Sequence, residues 1–149
     1  MKSRYVYIAM CLFAAATQAV ASSADNVHIT KAWIRLLPGQ LPAGAYADLA
    51  NDGDQPAVLR DVSSVQFGSS MLHQSSSEGG MSRMAMVDEL TLPAHGHVAM
   101  APGGYHLMLE APKGPLSVGD RVPLKFQFAD GSTTTVNFVV RPAYAMGPD

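Results

Sequence analysis

Two kinds of side chain, imidazole and thioether, carry most of the chemistry available to this sequence. The run Tyr105-His106-Leu107-Met108-Leu109 lies between Pro102-Gly103-Gly104 and Pro112, and its length and apolar density predict a buried strand. Alternate residues of a strand share a face, so His106 and Met108 point the same way. An imidazole beside a thioether can pack a core or hold a soft metal ion. Upstream, Met71, Met81, Met84, Met86 and Met100 fall within a 30-residue window that also holds His73, His95 and His97. Methionine is a flexible gap-filler, and a lone strand histidine is usually a hydrogen-bonded structural residue, so composition alone leaves both readings open.

These residues need strands to position them. Short apolar or alternating segments, separated by Gly, Pro, Asn, Asp and Ser, predict strands at 27–36, 43–49, 57–63, 66–72, 81–90, 97–100, 105–110, 122–128 and 133–141. Helical periodicity is nearly absent, and Asp130-Gly131 between two alternating runs is a hairpin signal. No internal repeat or linker divides the chain. The pattern predicts one all-β domain, an antiparallel Greek-key β-sandwich. In this reading His73 ends the strand at 66–72, just before a polar loop at 75–80, and Met84 lies on the next strand.

The first residues read as an export signal. Lys2 and Arg4 form a basic start, residues 5–16 are mostly apolar, and Ala19-Val20-Ala21 has the small-x-small pattern of a cleavage site. The apolar run is shorter than the roughly 18–20 residues of a spanning helix, so residues 1–21 are expected to be a cleavable signal and residues 22–149 a mature domain that does not span the membrane. Cleavage removes two of the ten basic residues and none of the twelve acidic ones, so the formal charge goes from -2 to -4 and nothing favours nucleic acid. The sole cysteine, Cys11, lies in the signal behind Met10, too large a residue for a lipid-attachment site. The mature chain then has no disulfide and no thiolate ligand, which excludes a blue-copper electron carrier. There is no G-x-S-x-G, no His-carboxylate zinc grouping and no histidine at the expected new terminus, so no enzyme is expected.

Spacing narrows the choice. His73, ten residues, Met84, twenty-one residues, His106, one residue and Met108 form the pattern His-x10-Met-x21-His-x-Met. It resembles the signature of the periplasmic copper(I) chaperone family often written PCuAC. Ala32-Trp33-Ile34-Arg35, Ala45-Tyr46 followed by Asn51, Gly79-Gly80-Met81, Leu92-Pro93-Ala94 and Pro102-Gly103-Gly104-Tyr105 are similar to that family as well, across essentially the whole mature chain. Two features depart from it: Gln74 stands where a second methionine is common, and the chain ends Ala145-Met146-Gly147-Pro148-Asp149 without a His- and Met-rich extension. The resemblance implies a cupredoxin-like sandwich in the periplasm, with Cu(I) held by His73, Met84, His106 and Met108. It also implies delivery to the dinuclear copper centre of cytochrome c oxidase, alongside a Sco-type thiol protein, by a monomer.

The donor set makes chemical sense by itself. Thioether sulfur selects Cu(I) over Zn(II), Mg(II) or Ca(II), and it needs no deprotonation to bind. Thioethers also form no disulfides, so such a site survives in an oxidising compartment. The remaining candidates weigh less: His95-Gly96-His97 reads as a solvated turn with no carboxylate close by, Met71 and Met86 as packing, and Met81 and Met100 as rim. Two other functions stay open at this point, a copper buffer using the same ligands and a metal-free exported interaction module whose methionines are core.

Overall fold

The computed structural model describes residues 19–149. Most of the expected export signal, including Lys2, Arg4 and Cys11, lies outside the described residues. Among the described residues no helix is long and apolar enough to cross a membrane. One helical turn, α1 (Ser23–Asn26), precedes ten strands: β1 (Val27–Arg35), β2 (Ala43–Asn51), β3 (Ala57–Ser63), β4 (Phe67–Glu78), β5 (Met81–Met86), β6 (Leu90–Leu92), β7 (His97–Met100), β8 (Tyr105–Pro112), β9 (Arg121–Phe128) and β10 (Thr133–Arg141).

The strands form one rolled sheet in the order β5-β4-β8-β2-β1-β10-β9-β3-β6, with β7 pairing the far half of β2. Rolling brings β3 against β4, which closes the sandwich. The all-β cupredoxin-like sandwich is as expected, with one exception to antiparallel pairing: β1 and β10, from the two ends of the chain, run side by side in parallel.

Alternation explains why these segments are strands. Along β9, Val122, Leu124, Phe126 and Phe128 are buried while Arg121, Lys125 and Gln127 face water. Ile34, Leu49, Leu107, Leu109, Phe138 and Val140 complete the same core, in which Phe126 and Phe138 stack at 6.0 Å between ring centroids. On the outer face of the sheet a smaller cluster of Trp33, Tyr46 and Ala145 forms a separate packed patch.

Two strand boundaries differ from expectation. The segment around Ser75-Ser76-Ser77 is not a loop: β4 runs on to Glu78 and returns as β5 through Gly79-Gly80, both at positive φ, 59° and 78°. Two such residues match a two-residue type I′ hairpin turn. Both faces of this hairpin arm are largely exposed, so its serines carry no hydrophobic alternation that would mark them as strand. The single strand expected at 81–90 is instead two, β5 and β6, because after Met86 the chain leaves one end of the sheet and crosses to the other.

One buried polar residue joins the turn after β2 to the turn after β6. Asn51 is 1% exposed; its Nδ2 donates to the carbonyls of Gln55 (2.8 Å), Leu92 (3.2 Å) and Pro93 (3.2 Å), and its Oδ1 accepts from Gly53 N (3.0 Å). Truncation would leave several of these backbone groups without partners. Asn51→Ala is expected to lower the unfolding free energy by about 1–3 kcal/mol in urea titration, while the solvent-facing Lys125→Ala changes it by less than about 0.5 kcal/mol.

Candidate metal centre

The pairing of β4 with β8 sets His73 directly opposite His106 and Met71 opposite Met108, and the pairing of β4 with β5 sets Met84 opposite Ser75 and Met86 opposite His73. Directly opposed residues share a face, so the six His and Met side chains, with Ser75, belong to the outer face of the sheet. The alternating residues Leu107 and Leu109 point into the core and are fully buried. Three strands, β4, β5 and β8, therefore present soft donors on the outer side, while β8 presents hydrocarbon on the inner one.

Of the four residues singled out by spacing, all come together. His73 Nδ1 lies 3.2 Å from the sulfur of Met84, and the rings of His73 and His106 meet edge to face at 5.7 Å between centroids. Met84, His106 and Met108 line one shallow depression of about 210 Å³, bordered by Gly44, Tyr46 and Ser75. Met84 is 55% exposed, His73 and Met108 are half-buried, and His106 is 5% exposed. The site thus grades from a buried imidazole to an open thioether.

His106 is held in one orientation. Its Nδ1 lies 3.2 Å from the carbonyl oxygen of Gly104, which can only accept, so Nδ1 carries the proton and Nε2 the lone pair. That Nε2 is buried and has no hydrogen-bond partner. An unsatisfied buried acceptor costs about 1–3 kcal/mol, a cost that a metal ion bound at the lone pair would remove. Among the described residues no three His, Cys, Asp or Glu side chains converge, so an ion here would draw on thioether sulfur. The donors present fit Cu(I).

A platform adjoins the donors. The Tyr46 ring stands 6.4 Å from that of His106 and 4.7 Å from that of Trp33, and the Arg35 guanidinium lies 5.5 Å from both aromatic centroids. Arg35 is fixed there by donating from Nε (3.1 Å) and Nη2 (2.8 Å) to the carbonyl of Ala145. Gly44 makes room for Tyr46, since a Cβ at this position would sit 2.8 Å from the phenol oxygen. Metal-ligand spacing does not single out Arg35 or Tyr46, though both stand in the segments Ala32-Trp33-Ile34-Arg35 and Ala45-Tyr46 that carried the family resemblance.

The lesser candidates fall differently. Met100 is 2% exposed and belongs to the core, not the rim. Met81 is 62% exposed near the tip of the hairpin, and Met86, expected to pack, is 65% exposed. His95 does have a carboxylate beside it, with Nε2 2.7 Å from Asp54 Oδ1, because the β6–β7 turn folds against a segment 41 residues earlier in the chain. Local sequence could not reveal that contact.

Burial pushes the His73 imidazole below its ordinary value, helped by its neighbour His106 and opposed by Glu110 on the same face. The neutral, metal-binding form is thereby favoured. Because the unfolded chain takes up the proton more readily than the folded one, this residue's contribution to apo stability is complete above pH 6.5 and declines as pH falls from 6.5 towards the lower folded value. A proton-detected titration of the His ring signals is expected to show His73 titrating below the free-histidine range; a midpoint at or above it would contradict the geometry.

The fold and this arrangement have relatives. The family described as "Putative lipoprotein LpqE-like" matches residues 27–140. The "Putative lipoprotein Lxx21020" of Leifsonia xyli subsp. xyli is 31% identical over 128 residues, 85% of this chain and 76% of that protein. A copper-bound PCuAC domain from PmoF2 superposes with a TM-score of 0.68 at 26% identity, covering 81% of this chain and 97% of that one. The CuI form of DR1885 from Deinococcus radiodurans does so with a TM-score of 0.62 at 35% identity, covering 74% of each chain. By fold and sequence, this chain belongs to the LpqE-like family and shares its architecture with PCuAC copper domains.

Proposed function

We propose that this protein is an exported Cu(I) carrier in which His73, Met84, His106 and Met108 hold the ion for delivery to another protein. The observation that carries this reading is the orphaned lone pair of the buried His106 Nε2, on a ring that shares its face with Met108 and meets the His73 ring edge to face. The copper-bound PCuAC domain and CuI-DR1885, both similar to this chain, support the identity of the ion. The relatives named as lipoproteins support a location outside the cytoplasm, which for this chain is the periplasm, reached through the signal at residues 1–21.

Neutral ligands account for both capture and release. Two imidazoles and two thioethers leave the charge of Cu(I) uncompensated, so no strong ion pair holds it, and protons compete only at the histidines. The exposed Met84 is the ligand an acceptor displaces first, and the buried His106 the last. This gradient of exposure favours transfer over storage. The intended recipient is the dinuclear copper centre of cytochrome c oxidase, with a Sco-type thiol protein acting alongside and the carrier working as a monomer.

Anaerobic titration of the mature protein with Cu(I) against a chromophoric chelator is expected to show one tight equivalent, lost in a His106→Ala, Met108→Ala variant whose circular dichroism is unchanged. Mixing the loaded protein with the apo, soluble copper domain of cytochrome c oxidase subunit II should then fill that domain. Equal and poor competition by both proteins would instead identify a metal-free interaction module, and retention of copper in the presence of the acceptor would identify a buffer.

A further inference from the structure

Beside the site just described, register places two more thioethers, the half-buried Met71 and the exposed Met86. Met86 stands directly opposite His73 across the β4–β5 pairing, and Met71 precedes His73 by two residues on the same face of β4. Met86 is 65% exposed on an edge strand all of whose residues are exposed, so it is not core. Met71 and Met86 both border a second depression, of about 180 Å³, at the seam where β3 meets β4 and walled by Leu59, Val62 and Leu72, separate from the one that Met84, His106 and Met108 line. Each adjoins the four-ligand set by register, Met86 directly opposite His73 and Met71 directly opposite Met108. Direct cross-strand neighbours have Cβ atoms about 4.5–5.5 Å apart and diagonal ones about 7–8 Å, within reach of unbranched methionine side chains.

We infer that Met71 and Met86 form a second, weaker Cu(I) site, a landing place one cross-strand step from His73 through which the ion enters and leaves the four-ligand site. This rests on the carrier reading above. The pair offers two sulfurs and no imidazole of its own, so it binds less tightly than the neighbouring set. Passage is a ligand exchange: a bond from Cu(I) to the lone-pair nitrogen of neutral His73 forms as a bond to Met86 or Met71 sulfur breaks, and the ion remains Cu(I) with no electron or proton transferred. The open flank of β5 supplies access, since copper arriving from solvent meets Met86 before it meets His106.

The test is methionine ε-methyl NMR of the whole mature protein, titrated anaerobically with Cu(I) to two equivalents, with single Met→Leu variants assigning each signal. The Met84 and Met108 methyls are expected to shift and saturate within the first equivalent, and those of Met71 and Met86 between the first and the second. A Met71→Leu, Met86→Leu double variant, nearly conserving volume, should keep the first phase, lose the second, and take up Cu(I) from a weak chelate several-fold more slowly. Met71 and Met86 signals that stay fixed through two equivalents, or uptake as fast as wild type, would overturn this inference while leaving the carrier site intact. Fixed signals at Met84 and Met108 would overturn the carrier site and the landing place together.

Discussion

The register in which β4 pairs with β8 is the constraint on which the rest of the site depends. With His73 opposite His106 and Met71 opposite Met108, every donor on these two strands falls on the outer face. A slip of one residue would turn β4 over relative to its neighbour and separate the imidazoles onto opposite sides of the sheet. Leu107 and Leu109, both fully buried, fix which way β8 faces, and Leu72, packed against the same core, fixes β4. Fully burying a leucine contributes about 1.5–3 kcal/mol, so turning β4 over would forfeit the share of this that Leu72 gains from the core.

Division of labour between the two faces follows from the same alternation. The inner face supplies stability through leucine and phenylalanine packing, which frees the outer face to hold groups that packing alone would not select. His106 Nε2 stands buried and unpaired there, and Arg35 is pinned by Ala145 above Trp33 and Tyr46. The unpaired nitrogen costs free energy in the empty protein, whereas the hydrogen-bonded and stacked Arg35 stabilises it. The His106 ring, fixed by the Gly104 carbonyl, is in place before an ion arrives, so less ordering is left for the binding step. The β4–β5 arm, exposed on both faces, is the opposite extreme, and it places Met84 where another protein can reach it.

Much of this was legible in the sequence wherever burial is one-sided. The strands at 57–63, 97–100 and 133–141 coincide with the expected ranges because each is bounded by turn residues. The hairpin arm was not legible, since Ser75-Ser76-Ser77 is solvated on both faces and reads as loop, and His73 therefore sits within a strand and not at its end. All four spacing-derived residues meet in space, but their closeness depends on long-range register that periodicity does not encode. The same limit hid Asp54 beside His95, and the Arg35–Tyr46 platform beside the donors.

Copper itself reports most directly on the central claim. X-ray absorption at the copper K-edge of the protein loaded anaerobically with one equivalent should give a Cu(I) edge and a first shell of two nitrogen and two sulfur neighbours, reduced by one nitrogen in His106→Ala and by one sulfur in Met84→Leu. A shell of oxygen and nitrogen alone, or one that neither substitution alters, would contradict the assignment of His73, Met84, His106 and Met108 as the ligands.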